Sequence, residues 1–325
     1  MQLNKILSVT ALILGCVACE FDEYRVKAVK QRLREPDRGV CTLTTDQSCV
    51  IASCLYDENG AFTPRLRSFD AVTGQLIAVS PFEVKGTWAV RGVAPDRKDM
   101  AEFWTLHANG YRLKWTENFM LVDAELPIPN NLVPGLTGRT YYDIDIAFDG
   151  TVLMTVEDFV AGAGQRTYLY RQAPGQLWER GTALDVNGAP LMSKECRVSH
   201  DNASGLTLVL ESDTSQVIRF DGVNALGTID LPDTTGVGQH GYTDIAAFGR
   251  MMTVSTRDLG ANGQGKIFEI DAMTGEVMDE MTIGQPMALA IKAPLLHGQP
   301  GEVSVFVTGL DYFPGKYGLM EVTLK

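Results

Sequence analysis

Five aspartates recur at one place in the chain. Asp57, Asp158, Asp213, Asp258 and Asp311 each come just after an apolar run, and Asn109 takes the same place once more. Carboxylates gathered on one level could hold a cation or a basic partner. Short acids also accept backbone N–H groups inside their own turns. Recurrence in nearly every unit points to that structural role, because a reaction centre breaks the symmetry of a repeat. A second acidic pair, Asp143-Ile144-Asp145, has the opening spacing of a calcium loop. Ile144, Ile146 and Phe148 alternate with those acids, which marks a strand, and the next glycine falls too late for such a loop.

The four histidines, His107, His200, His240 and His297, fall in no metal-ligand spacing. His200 with Asp201 and Asn202 reads as a turn-capping set. His240 lies in the Gly-rich stretch 236–242 and is the one histidine expected to face a loop surface. No nucleophile elbow is present, and the Gly-rich stretches 158–165 and 258–264 open no helix that could cradle a phosphate. No catalytic residue, metal or cofactor is therefore expected. Cys41 and Cys54 fall on neighbouring strands of one hairpin and form a candidate disulfide. Cys49 and Cys54 lie on one strand, about 16 Å apart, too far to bridge.

These residues need elements to hold them, and the elements repeat. Asp70-Ala71-Val72-Thr73-Gly74 returns as Asp271-Ala272-Met273-Thr274-Gly275. Tyr142-Asp143-Ile144-Asp145-Ile146-Ala147-Phe148 returns as Tyr242-Thr243-Asp244-Ile245-Ala246-Ala247-Phe248. Between the markers, short runs rich in Val, Ile, Tyr, Phe and Thr alternate with turn residues, the pattern of strands. No window carries a long helical period. Each unit reads as four strands over about fifty residues. First strands start near residues 39, 90, 142, 196, 242 and 286. In this alignment Asp145 and Asp244 are equivalent, Arg197 stands at their place in the fourth unit, and the second unit offers Gly92.

Four antiparallel strands at that period resemble a β-propeller. The expected fold is all-β, with six four-stranded blades. The sixth unit stops after its third strand, 319–324, so the N-terminal stretch 24–29 is expected to supply the missing one and remove an open edge. The Phe69–Gly74 and Ile270–Gly275 motifs look like the repeat core of quinoprotein-type propellers, a family that includes a lipoprotein of bacterial outer-membrane assembly. The tryptophan that usually follows the motif is absent here, and that family has eight units. The resemblance implies architecture, and none of the family's functional residues is carried over.

The first residues give an address. Lys5 precedes an apolar run, 6–18, of signal-peptide length. Gly15-Cys16 and Ala18-Cys19 both resemble the bacterial lipobox, in which cleavage precedes a lipid-carrying cysteine. Cys19 is favoured over Cys16, because it leaves an even number of other cysteines. The expected organisation is a signal peptide over 1–18, a lipid-anchored tether with a closing strand over 19–38, and the propeller over 39–325. Lys+Arg number 28 against 40 Asp+Glu, a net charge of −12. A nucleic-acid binder would show the opposite footprint.

Loops expected to be long, among them 127–141, 158–165, 182–195, 231–241 and 311–316, gather on one face. Function concentrates on such loops. Arg139, Tyr141, Lys194, His240, Tyr312 and Phe313 supply a mix suited to a protein interface. The sequence therefore points to an envelope propeller, lipid-anchored in the outer membrane, that binds a protein or peptide. The second reading is a lactonase- or esterase-like hydrolase with a metal in the central channel.

Overall fold

The computed structural model describes residues 28–31, 40–45, 49–54, 65–70, 73, 75–96, 102–186, 189–190, 196–211, 215–232, 242–256, 265–283, 285–292, 303–313 and 316–324. The chain is a β-propeller. Apart from one two-stranded ribbon, the described strands pair into four-stranded antiparallel sheets, and all but the last of these run in chain order. Sheet 1 comprises Val40–Thr45, Cys49–Cys54, Arg65–Asp70 and Leu76–Val79. Sheet 2 comprises Val90–Pro95, Glu102–His107, Arg112–Thr116 and Leu121–Glu125. Sheet 3 comprises Leu136–Ile146, Val152–Val160, Gly164–Gln172 and Glu179–Ala183. Sheet 4 comprises Cys196–Asp201, Leu206–Glu211, Gln216–Asp221 and Asn224–Asp230. Sheet 5 comprises Tyr242–Phe248, Met251–Thr256, Gly265–Asp271 and Val277–Ile283.

The last sheet joins Gln285–Lys292, Val303–Phe313 and Lys316–Leu324 to Ala28–Gln31. The register there runs from Ala28 opposite Thr323 to Gln31 opposite Met320. Residues 28 and 29 of the expected closing stretch 24–29 lie on this strand, and residues 24–27 lie outside the described residues. The four sheets 2 to 5 have side chains described in every strand.

The first strand of each sheet lies beside the first strands of its neighbours. The apolar core fills the seams between sheets. Leu206, Leu208 and Leu210 of sheet 4 pack on Tyr242, Ile245 and Phe268 of sheet 5. Trp104 and Leu106 of sheet 2 pack on Ile144, Met154 and Tyr170 of sheet 3. Leu153 and Leu169 of sheet 3 meet Val198, Val209 and Phe220 of sheet 4. A strand inside a sheet covered on both faces is buried along its whole length, as in Leu206–Glu211, where every residue is buried and four of the six are apolar.

The repeated Asp-x-x-Thr motifs make one turn twice. Thr73 N and Oγ1 donate to Asp70 Oδ1, and Met273 N and Thr274 N donate to Asp271 Oδ1. Each threonine hydroxyl then accepts from the residue two further on, Gln75 or Glu276.

Parts of two expected loops are strands instead. The first strand of sheet 3 starts at Leu136, so residues 136–141 belong to a ladder whose outer end pairs Leu136 with Val160. The expected loop 158–165 shrinks to a tight turn, because Gly162 and Gly164 adopt φ of +77° and +81° and let the hairpin close. Of the loop 182–195, Asp185–Val186 and Ala189–Pro190 form a small ribbon. His200 and Asp201 end a strand, and Asp201 caps the turn after it as expected, accepting from Ala203 N and Ser204 N.

Candidate functional site

Arg139 and Tyr141 stand on the extended strand of sheet 3, not on a loop. Tyr141 is buried in the seam with sheet 2, and Gly110 leaves it room, since a Cβ there would meet the ring at 2.4 Å. Arg139 is committed within the fold. Its Nε donates to Asp158 Oδ1 at 2.7 Å and its Nη1 to the Ile128 carbonyl at 2.7 Å. Asp158, expected to serve its own loop, is a strand residue with no exposed side-chain surface. It serves side chains: Tyr170 OH donates to its Oδ2 at 2.5 Å, and Arg180 Nη1 lies 3.5 Å from the same oxygen. Burial, then the Asp158 carboxylate, push the Tyr170 phenol above its ordinary value. This cluster is a structural pin.

Asp311, Tyr312 and Phe313 lie on the strand Val303–Phe313, where Phe313 pairs with Lys316 across the hairpin. Lys194, His240, Asp57, Asp213 and Asp258 lie outside the described residues, as do Cys16 and Cys19. In sheet 1 the register sets Val40 opposite Cys54 and Thr42 opposite Ser53, with Cys41 as the extra residue between them. Cys196 is a buried thiol.

The inner strands share a device that the sequence did not announce. In sheets 1, 2, 3, 5 and the last, the first strand carries a register shift, after Val40, Val90, Tyr141, Tyr242 and Pro286; it falls near the start of the strand except in sheet 3, where Tyr141 is mid-strand. Such a bulge re-aims the residue that follows it. That residue is Gly92 in sheet 2, Asp143 in sheet 3 and Asp244 in sheet 5. The register thus makes Asp143, not Asp145, the counterpart of Asp244. Asp143 Oδ2 accepts the Val198 N–H at 3.0 Å, and Asp145 Oδ2 accepts the His200 N–H at 2.7 Å. Ser199 Oγ likewise accepts the Ala247 N–H at 3.0 Å. Side chains on one inner strand therefore satisfy backbone donors on the next.

Burial pushes the Asp143 carboxyl up to about 7, with Arg197 acting to lower it and Asp244 to raise it. A divalent cation does not fit these donors. Both Asp145 oxygens are taken, by Ile146 N and His200 N. One Asp143 oxygen is taken, and the Arg197 cation acts on this carboxylate. Among the described residues no three His, Cys, Asp or Glu side chains gather to hold a metal.

The open site lies elsewhere, in a cleft of about 830 Å³ between sheets 2 and 3. Its lips are Leu126 and Leu177, 71 % and 84 % exposed. Pro127, Pro129 and Pro174 line the flanks, and the buried Trp104, Trp178 and Arg112 form the base. Arg112 sits at the start of its strand with its guanidinium 4.7 Å from the Trp178 ring centre. Its Nη2 pairs with Glu125 and donates to Gln172 Oε1 at 3.3 Å. Among the described residues its Nε and Nη1 have no hydrogen-bond partner. Burial lowers the guanidinium's affinity for its proton, and Glu125 opposes that. Opposite, Asp96 accepts from Trp104 Nε1 at 3.0 Å and from Lys114 Nζ at 2.9 Å. The sequence carried a faint sign of this cleft: Leu126-Pro127-Ile128-Pro129 and Leu177-Trp178 set large apolar residues in connecting segments.

No protein-family model matches the chain, and no curated protein matches it in sequence. Solved structures do match in shape. A luciferin-regenerating enzyme is 12 % identical, with a TM-score of 0.59 over 92 % of this chain and 95 % of that one. A chain of a nidogen/laminin complex is 12 % identical, with a TM-score of 0.58 over 83 % of this chain and 91 % of that one. The calcium-binding protein regucalcin from Agrobacterium tumefaciens is 12 % identical, with a TM-score of 0.55 over 91 % and 92 %. At such identity the likeness is one of fold.

Proposed function

We propose that the chain is a binding propeller of a bacterial envelope. A signal peptide exports it, a lipid on Cys19 anchors it in the outer membrane, and the cleft between sheets 2 and 3 holds a protein or peptide of that compartment. In this reading the propeller has six blades in one ring, with Ala28–Gln31 as the closing strand. The observation that carries the proposal is the pair of exposed leucines, Leu126 and Leu177, over a base of buried tryptophans. Large apolar side chains held open to water mark interaction sites. The inner acids, by contrast, are engaged with backbone donors. Fold alone does not choose, since the similar structures include both an enzyme and a protein complex.

The test is a photo-crosslinker at position 126 or 177 in the intact, membrane-bound protein. A specific adduct with an envelope protein is expected, and its absence overturns the cleft as the docking surface. The Cys19→Ser variant is expected to leave the membrane. Retention of that variant together with release of Cys16→Ser would move the lipid to Cys16, and retention of both would remove the anchor.

One observation favours the hydrolase reading. A carboxyl pushed up to about 7, as Asp143 is, can exchange a proton near neutrality. Turnover of a lactone or simple ester that Asp143→Asn abolishes would put this reading first.

A further inference from the structure

We propose that the cleft between sheets 2 and 3 takes an uncharged, extended peptide segment with aliphatic side chains, whose backbone carbonyls pair with the buried, unpaired N–H groups of Arg112 at its base. This rests on the binding-propeller reading and names the chemistry of its ligand.

Three observations converge on that ligand. The first is the unmet donors. Arg112 is buried, yet among the described residues its Nε and Nη1 have no acceptor. A buried donor left unpaired is costly, and a ligand that pairs it recovers that cost on binding. The second is charge. The cleft walls carry one cation, Arg112, against the carboxylates of Asp96 and Glu125. Glu125 already neutralises Arg112, and Lys114 already faces Asp96. An added carboxylate would meet Glu125 as a like charge, so neutral carbonyl oxygens suit the open donors. An added ammonium would need its own desolvated partner, and both acids are already paired. The third is the lining. Leu126, Leu132 and Leu177 with three prolines offer an apolar wall for branched aliphatic side chains. Glu125 and Gln172 supply acceptors beside the donors, the mixture that a peptide backbone needs. The volume is in the range of small-ligand sites, enough for a few residues of extended chain.

The probe is a peptide of alternating leucine and alanine, acetylated at one end and amidated at the other. Its binding is followed by tryptophan fluorescence, since Trp104 and Trp178 line the cleft. Saturable binding is expected. Leu126→Asp and Leu177→Asp should each weaken it roughly tenfold or more, with an unchanged thermal midpoint, because both side chains stand in solvent. A peptide with a central aspartate should bind more weakly than the neutral one. Replacing its central amides by esters, which are poorer acceptors, should also weaken it, and this tests Arg112 without altering the protein.

Absence of saturable binding overturns the proposal, as does equal binding by the leucine variants, the acidic peptide or the ester analogue. Preference for a decanoate anion or for neutral phosphatidylcholine vesicles, with no peptide binding, would make the cleft a lipid site and overturn it too. These outcomes separate from the broader reading. If the peptide fails while the intact protein still crosslinks to an envelope partner from another surface, binding stands and this cleft does not. If the peptide binds as described but the membrane-bound protein captures no partner, the ligand chemistry stands and the envelope role fails.

Discussion

Gly92 and Asp143 are fitted to each other across the seam between sheets 2 and 3. A Cβ on Gly92 would stand 2.3 Å from Asp143 Oδ1 and 2.8 Å from Ile144 N. The carboxylate fills the space a side chain would need, and its other oxygen reaches on to Val198 N in sheet 4. One aspartate thus touches three consecutive sheets. The relation explains why the second unit has a glycine where the others carry side chains.

Gly92→Ala should therefore destabilise the protein. The methyl must displace either a carboxylate or the backbone of a buried strand, and overpacking of this kind costs roughly 1–3 kcal/mol. A fall of several degrees in the thermal midpoint is expected by circular dichroism. An unchanged midpoint would show that the seam can open at no cost.

The same aspartate should shape the pH dependence of stability. Burial is the main cause that pushes Asp143 up to about 7, against about 3.9 for a free aspartate. Between those values the unfolded chain has released a proton that the folded chain keeps. Stability contributed by this group is thus full below about pH 4, falls as pH rises, and levels off above about pH 7. Glu269, pushed up to about 7 by burial and then by Asp279, adds in the same direction. Asp143→Asn keeps an acceptor for Val198 N and removes the titration. Relative to the native chain it should gain stability as pH rises from about 4 to about 7, and keep that gain above, in urea titrations. A constant difference between the two proteins would contradict the assignment.

Closure gives a third expectation. Ala28–Gln31 pairs with Lys316–Leu324 over four residues. A soluble protein beginning at residue 32 would lose those ladder bonds, at about 1 kcal/mol each, and expose a strand edge open to pairing with other chains. It should melt several degrees lower than one beginning at residue 20, and self-associate more readily in light scattering. Equal melting would reduce the segment to a tether.

What could be read from the sequence was what a few neighbouring residues decide. The Asp70 and Asp271 turns are closed by threonines three residues on, so their repetition in sequence is a repetition of hydrogen bonds. The outer half of Leu136–Ile146 could not be read, because Gly138, Arg139 and Thr140 carry no apolar alternation. That stretch is a strand because Val152–Val160 pairs with it. The cleft was equally hidden. Arg112 looks like an ordinary strand residue until Glu125, Gln172 and Trp178, from three other strands and turns, arrive around it. Arg139 misled for the same reason, since its type suits an interface while its partners lie in the core.

Arg139 supplies the last test, because a surface anchor and a structural pin respond differently to truncation. Asp158 is fully enclosed and depends on Arg139 at 2.7 Å, Tyr170 OH at 2.5 Å and the more distant Arg180. Arg139→Ala leaves that carboxylate short of its nearest cation and strips a donor from the Ile128 carbonyl. Breaking a buried pair on one side typically costs about 3–5 kcal/mol, so a large drop in the urea midpoint is expected. Changing both partners, Arg139→Met with Asp158→Leu, removes the stranded charge and should recover much of that loss. Tyr170 would still lack its acceptor, so full recovery is not expected. If Arg139→Ala leaves stability intact but weakens capture of an envelope partner, the side chain works at the surface, and the pin formed with Asp158 is not what holds this end of sheet 3.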